Sequence, residues 1–155
     1  MALLKELRLR LHPPALQDAH VGRLVYMYTP RDPSRSYWEG EWVFPPSQTK
    51  VAIILPGSIA GPSDAGRAFY LTLPARFDQL MPHVRPVLDR VFREWVNRSV
   101  NVEVWQDVTL GGFSVEDRGV APTTWEVTFE TVGERWLGIT IPFVGDQPQE
   151  PVVDS

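Results

Sequence analysis

The segment Tyr37–Phe44 constrains the fold more than any other. Trp38, Gly40, Trp42 and Phe44 fall on one side of an alternating run, and Tyr37, Glu39, Glu41 and Val43 on the other. That is the period of a strand with one face on a core. The tryptophan face must be buried. Gly40 in its middle leaves room either for the flanking indoles or for a close neighbouring element.

The rest of the chain supplies partners for such a strand. Leu7, Leu9 and Leu11 alternate with Arg8 and Arg10, which reads as a half-buried strand ended by His12-Pro13-Pro14. Gly22 to Thr29 is rich in residues that suit a pleated surface, and Pro30 to Ser36 reads as a polar loop. Val51 to Leu55 is expected as a short, fully apolar strand stopped by Pro56-Gly57. In the last third, Val100, Val102 and Val104 alternate. Gly111-Gly112 has the look of a tight hairpin turn. Trp125, Val127 and Phe129 face away from Thr124, Glu126, Thr128 and Glu130, with Trp136 to Phe143 as the partner strand beyond Val132-Gly133.

Between these strands the period changes. Val84, Val87, Leu88, Val91, Phe92 and Trp95 are spaced by three and four and form one helical stripe. Pro82 or Pro86 would sit in its first turn. Ser63 to Leu80 fits helix and strand alike, with helix favoured: Gly61-Pro62-Ser63-Asp64 resembles a helix entry, and Pro74 would kink or restart the helix. The expected fold is α+β, an antiparallel sheet of about six to eight strands with one or two helices packed on one face. With 155 residues, one domain over 1–144 is expected, followed by a flexible tail over 145–155 rich in Gln, Pro, Glu and Asp.

Composition removes several function classes. The net charge is −4 with no basic run, so nucleic acid, which needs clustered cations, is not an expected partner. There is no cysteine, which excludes thiolate chemistry and disulfides and fits a reducing compartment. Met1 to Glu6 turns charged too soon for the apolar core of a secretion signal, and no apolar run approaches a membrane span. A cytoplasmic protein away from membranes is the expectation.

Trp38-Glu39-Gly40-Glu41 on an early strand, the amphipathic helical region, and Trp125-Glu126-Val127-Thr128-Phe129 followed by Trp136-Leu137-Gly138-Ile139-Thr140-Ile141 together resemble an uncharacterised bacterial domain family. The resemblance covers most of the chain. It implies an interaction or toxin-immunity protein and supplies no catalytic residue.

Candidate chemistry is thin. His12, His20 and His83 have no ligand spacing, so neither a metal nor a cofactor is expected. Glu39/Glu41 and Glu126/Glu130 share strand faces, as a carboxylate pair must. A solvated sheet face gives the same pattern. No serine sits in a nucleophile elbow, and Leu55 to Gly61 lacks the residues of a phosphate loop. Six tryptophans either fill a core or line a pocket. Trp105 is set apart, because the valines claim the other face of its segment. An exposed indole, like the Arg and Tyr of the 31–37 loop, has the chemistry of an interaction anchor. Arg31, Arg35, Tyr37 and Trp105 are therefore the candidate interaction residues. The expected function is a non-enzymatic protein-interaction module, immunity- or adaptor-like, bound to another protein and compatible with self-association. A small-molecule or carbohydrate-binding domain with a tryptophan-lined pocket stands second, and a metal-dependent hydrolase on the glutamate pairs last.

Overall fold

A computed structural model describes every residue except Arg118 and Glu134. The fold is α+β, and the described residues form two α-helices and ten strands with mostly antiparallel pairing. Six to eight strands were expected from the sequence; the two-residue strands β5 and β9 account for the excess. The chain forms two compact units, Met1–Pro74 with Val115–Asp117, and Ala75–Ser114 with Arg118–Ser155.

The first unit is a meander. β1 (Ala15–Asp18), β2 (Gly22–Met27), β3 (Tyr37–Phe44) and β4 (Thr49–Ser58) pair antiparallel in that order, and β5 (Gly61–Pro62) pairs with the end of β4. β3 has the bounds and faces its alternation predicts: Trp38, Trp42 and Phe44 are buried with Leu24, Tyr26, Val51, Ile53 and Leu55. Gly40 is required by its neighbour strand. A Cβ there would stand 2.5 Å from the Arg23 carbonyl oxygen and 2.9 Å from Leu24. β4 does not stop at Pro56-Gly57. Pro56 pairs with Tyr37 and its carbonyl accepts from Ser63 N at 2.8 Å, while Gly57 admits the backbone of β5 where a side chain would collide with Gly61.

α2 (Asp64–Trp95) is one continuous helix of 32 residues. Ser63 caps it, its Oγ accepting from Gly66 N at 3.1 Å. It neither restarts at Pro74 nor begins at Pro82 or Pro86. Pro74 has no N–H to give the carbonyl four residues back, that of Tyr70. His20 Nε2 donates to that oxygen instead, at 2.9 Å. Pro74 also ends the first unit, within which Phe69, Tyr70 and Leu73 are buried.

Residues 2–11 are not a strand. They form α1 (Ala2–Leu11), with Arg10 and Glu6 paired at 3.4 Å. Ala, Leu, Lys, Glu and Arg are strong helix formers and no β-branched residue is present. Leu3, Leu7 and Leu11 repeat every four residues as surely as Leu7, Leu9 and Leu11 repeat every two. No residue of α1 is buried.

In the second unit the strand order is β6 (Val108–Glu116, its last two residues counted with the first unit), β7 (Thr124–Thr131), β8 (Gly138–Val144) and β10 (Val152–Asp154), with β9 (Gln147–Pro148) also on β8. Trp125 stacks on Phe143 at 4.3 Å between ring centres, and α2 contributes Val84, Leu88, Val91 and Phe92 to the core.

Three expectations fail in this unit. Gly111-Gly112 is no hairpin, because β6 runs straight through it; a Cβ at Gly111 would lie 3.2 Å from the Thr128 carbonyl oxygen, so close strand approach is what the glycine serves. Val100 to Val104 is no strand either. Its backbone donors go to side chains, Val100 N to Asp89, Asn101 N to Asp107 and Glu103 N to Asn101, which competes with a sheet ladder. Residues 145–155, expected as a flexible tail, instead carry β9 and β10, with Val152 opposite Thr140 and Asp154 opposite Gly138. Backbone groups on the open edge of β8 make those bonds whatever the side chains are.

Candidate interaction surface

The outer face of the first unit's sheet carries an unusual set of side chains. The register places Met27, Tyr37 and Pro56 in one cross-strand row, and Val25, Glu39 and Ile54 in the next. Val43 beside Lys50 continues it, and Val43 is 56% exposed. Arg23, Glu41 and Ala52 complete an open trough of about 570 Å³ with Val25, Glu39 and Ile54. An outer face facing only water usually alternates to polar residues; this one keeps valine, methionine, tyrosine and isoleucine half-buried against one another.

Its charges differ in their pairing. Glu41 is 3.8 Å from Lys50 Nζ, with both side chains largely exposed, and such a pair contributes little. Glu39 is half-buried between Val25 and Ile54, and no hydrogen bond or ion pair reaches it among the described residues. The carboxylate pair thus lies on one face, as the alternation predicts, but only one member has a cation.

Beside the trough, the 31–37 loop is held in place. Asp32 accepts from Ser34 N at 3.2 Å and caps a 3-10 turn, Pro33–Arg35. The buried Ser36 accepts from Thr29 N at 3.0 Å through its Oγ. Arg31 and Arg35 are exposed on this braced loop, and Tyr37 opens β3 on the outer face. These three candidates lie together in sequence. Trp105 belongs to the second unit, in the 3-10 turn Val104–Gln106, where it is 40% exposed and stacks on Phe77 at 6.2 Å. That contact already uses one face of its ring.

A smaller cavity of about 290 Å³ lies in the first unit, lined by Asp18, His20, Val21, Leu55, Arg67 and Tyr70 among others. Asp18 accepts from His20 N and Val21 N at 2.8 and 3.1 Å and pairs with Arg67 at 3.5 Å. Burial pushes its carboxyl up, but those two N–H groups and the guanidinium together hold it below its ordinary value. In the second unit Asp107 is held down chiefly by Arg98, which grips it at 2.7 and 3.0 Å, and by Asn101 N, against a rise from burial. Both networks close on themselves and brace loops.

The tryptophans divide. Trp38, Trp42 and Trp125 are core, and Trp38 and Trp125 donate their indole N–H to Ser58 O and Gly145 O at 2.9 and 2.8 Å. Trp136, on the Gly138 and Thr140 side of its run, is 52% exposed and lies over Gly138. None lines either cavity. Glu126 and Glu130 sit exposed on the outer face of β7. Among the described residues no group of three or more His, Asp or Glu side chains could hold a metal, and no helix is long and apolar enough to cross a membrane.

Sequence reasoning missed the apolar outer face. The signal was present in Val51-Ala52-Ile53-Ile54-Leu55, which is apolar on both faces, and in Tyr37 and Val43 on the glutamate side of β3. No protein-family model, no curated protein and no solved structure matches the chain.

Proposed function

We propose that this chain is a non-enzymatic protein-interaction module, immunity- or adaptor-like, which receives a protein partner on the outer face of β2, β3 and β4. One observation carries the reading: that face keeps Val25, Met27, Tyr37, Val43 and Ile54 where a solvated sheet would carry polar residues. Tyr37 and the braced Arg31 and Arg35 beside it supply the amphipathic and cationic anchors that protein interfaces favour. The cysteine-free composition suits a cytoplasmic setting.

The test is affinity capture from the native cell with two matched variants. Val43→Asp together with Ala52→Arg, both at exposed positions, should remove a stoichiometric protein partner without changing the melting temperature. Arg35→Ala should weaken capture by roughly tenfold. A partner retained by both variants would place docking elsewhere, and the proposal would be wrong.

A further inference from the structure

At one edge of the second unit's sheet a tryptophan stands between two carboxylates. Trp136 is half exposed, and the ring atoms Cη2 and Cζ2 of its indole come 3.2 and 3.3 Å from where a Cβ of Gly138 would stand. Gly138 lies opposite Glu130 on β7 and opposite Asp154 on β10. A side chain at 138 would push the indole off this cross-strand row; glycine lets it stand there, with an exposed acid on the strand to either side. No ion pair or side-chain hydrogen bond reaches the carboxylate of Glu130 or Asp154 among the described residues. Arg135, beside Trp136 in sequence, is turned onto the Trp95 carbonyl at 2.8 Å. The other described arginines of this unit are engaged on other carboxylates or on main-chain carbonyls, and the unit has no lysine. Among the described residues, then, the row joins an indole and two acids with no cation of its own.

The occupant follows from the chemistry and from the edge. An indole face attracts a cation, and carboxylates beside it favour a planar guanidinium, which stacks and pairs at once. β10 ends the strand order, and no strand pairs with its far side among the described residues. Its main-chain groups are therefore open to one more strand. On an added strand, side chains return to the same face every second residue. The one opposite Asp154 would start about 10 Å from the Gly138 position, two strand spacings away, which an arginine side chain spans. The one two residues on would meet Val152, 56% exposed on the same face. We infer that an extended segment of a protein partner adds to the free edge of β10, with an arginine opposite Asp154 whose guanidinium reaches Trp136, and an apolar residue opposite Val152. In the antiparallel pairing, the more stable one, its order is arginine, any residue, apolar residue. A second copy's β10, Val152-Val153-Asp154, carries no cation and does not fit. A free small cation would gain the indole and the carboxylates but none of the main-chain bonds. The site goes beyond the docking face of the first unit and does not depend on it.

NMR titration of the full chain with a blocked peptide centred on Arg-Thr-Val provides the test. The indole N–H signal of Trp136 should shift saturably, and amide exchange over Val152–Asp154 should slow. Citrulline in place of the peptide's arginine keeps the plane and loses the charge; it should weaken binding to the unaltered protein at least about tenfold. Asp154→Asn and Glu130→Gln, at exposed positions, should each weaken it about threefold. Val43→Asp/Ala52→Arg should leave peptide binding unchanged, so the docking face of the first unit is judged separately. A Trp136 signal unmoved at millimolar peptide overturns the inference, and so does equal binding of the citrulline peptide. A Trp136 shift without slowed exchange on β10 overturns it in favour of a small cation, as does tetramethylammonium binding as tightly as the peptide.

Discussion

The two units build their inner sheet faces alike and their outer faces differently. Inside, each packs tryptophan against aromatic and β-branched neighbours, around Trp38 and Trp42 in the first unit and Trp125 in the second. Outside, β7 shows Thr124, Glu126, Thr128 and Glu130, and β8 shows Thr140 beside Pro142 and Val144, with Thr128 and Thr140 hydroxyls 3.1 Å apart. β2, β3 and β4 show Val25, Met27, Tyr37, Val43 and Ile54. The threonines and glutamates of β7 are what solvent alone asks of a strand, so β7 serves as an internal control for β2, β3 and β4. The same chain makes a water-facing surface where it needs one. The apolar outer face is therefore a property of that sheet and not of the chain's composition.

Glycines at close strand approaches offer the harshest way to break the comparison. Gly40→Val puts side-chain atoms against the Arg23 carbonyl and Leu24, where the backbone leaves 2.5 Å. It should cost about 4 kcal/mol or more, seen as loss of the cooperative unfolding transition in urea. Gly111→Ala in the second unit meets the Thr128 carbonyl at 3.2 Å and should cost only about 1–2 kcal/mol. Equal effects would contradict the spacing of the two ladders.

Next in size comes the anchored carboxylate of each unit. Asp107→Ala removes the acceptor of the Asn101 N–H and releases the Arg98 fork, at about 2 kcal/mol. Asp18→Ala removes the oxygen that accepts from two N–H groups and should cost about 1–2 kcal/mol. Both carboxyls titrate below their ordinary value when folded. Each therefore contributes its full stabilisation above about pH 3.9, the unfolded Asp value, and loses it as pH falls further, through the folded value. Denaturation followed from pH 6 to pH 2 should show a steeper acid loss in the wild type than in Asp107→Ala. Parallel curves would mean that Asp107 is not tuned by its partners.

Much of this was legible beforehand, and the failures share a cause. β3, the inner-face tryptophans and the entry to α2 at Ser63-Asp64 follow from period and capping chemistry, because burial of one face leaves a repeating mark in the sequence. What escaped was decided by backbone partners that leave no such mark. Val100 to Val104 alternates like a strand, yet Asp89 and Asp107 claim its N–H groups. The polar run from Gly145 joins an open edge through main-chain bonds alone. α1 failed for the opposite reason, since its leucines satisfy both periods and nothing in the chain covers them to decide. Of the candidate interaction residues, Arg31, Arg35 and Tyr37 could be found from composition of a loop. The trough beside them could not, because it needs the register of three strands.

A subtler exchange tests why α2 survives Pro74. The Tyr70 carbonyl, left without an N–H by the proline, is met by His20 Nε2. His20→Ala should cost about 1 kcal/mol for the lost hydrogen bond. Pro74→Ala restores the helical N–H, so in that background the same histidine substitution should cost about 1 kcal/mol less. A double-mutant cycle without coupling would mean that the histidine bond adds nothing beyond what water offers.

The smallest effect on stability is the sharpest on function. Thr128→Lys, on the second unit's outer face, gives up the hydroxyl contact with Thr140 and should cost no more than about 1 kcal/mol, without changing partner capture. Ala52→Lys, on the first unit's outer face, is also an exposed position beside the trough floor and should be equally mild in stability. It should nonetheless abolish capture, because it sets a cation on the floor of the outer-face trough. The pair matches the introduced charge, and the outer face on which it falls decides capture. If Thr128→Lys disrupted association as strongly as Ala52→Lys, the contrast between the two outer faces would carry no functional meaning.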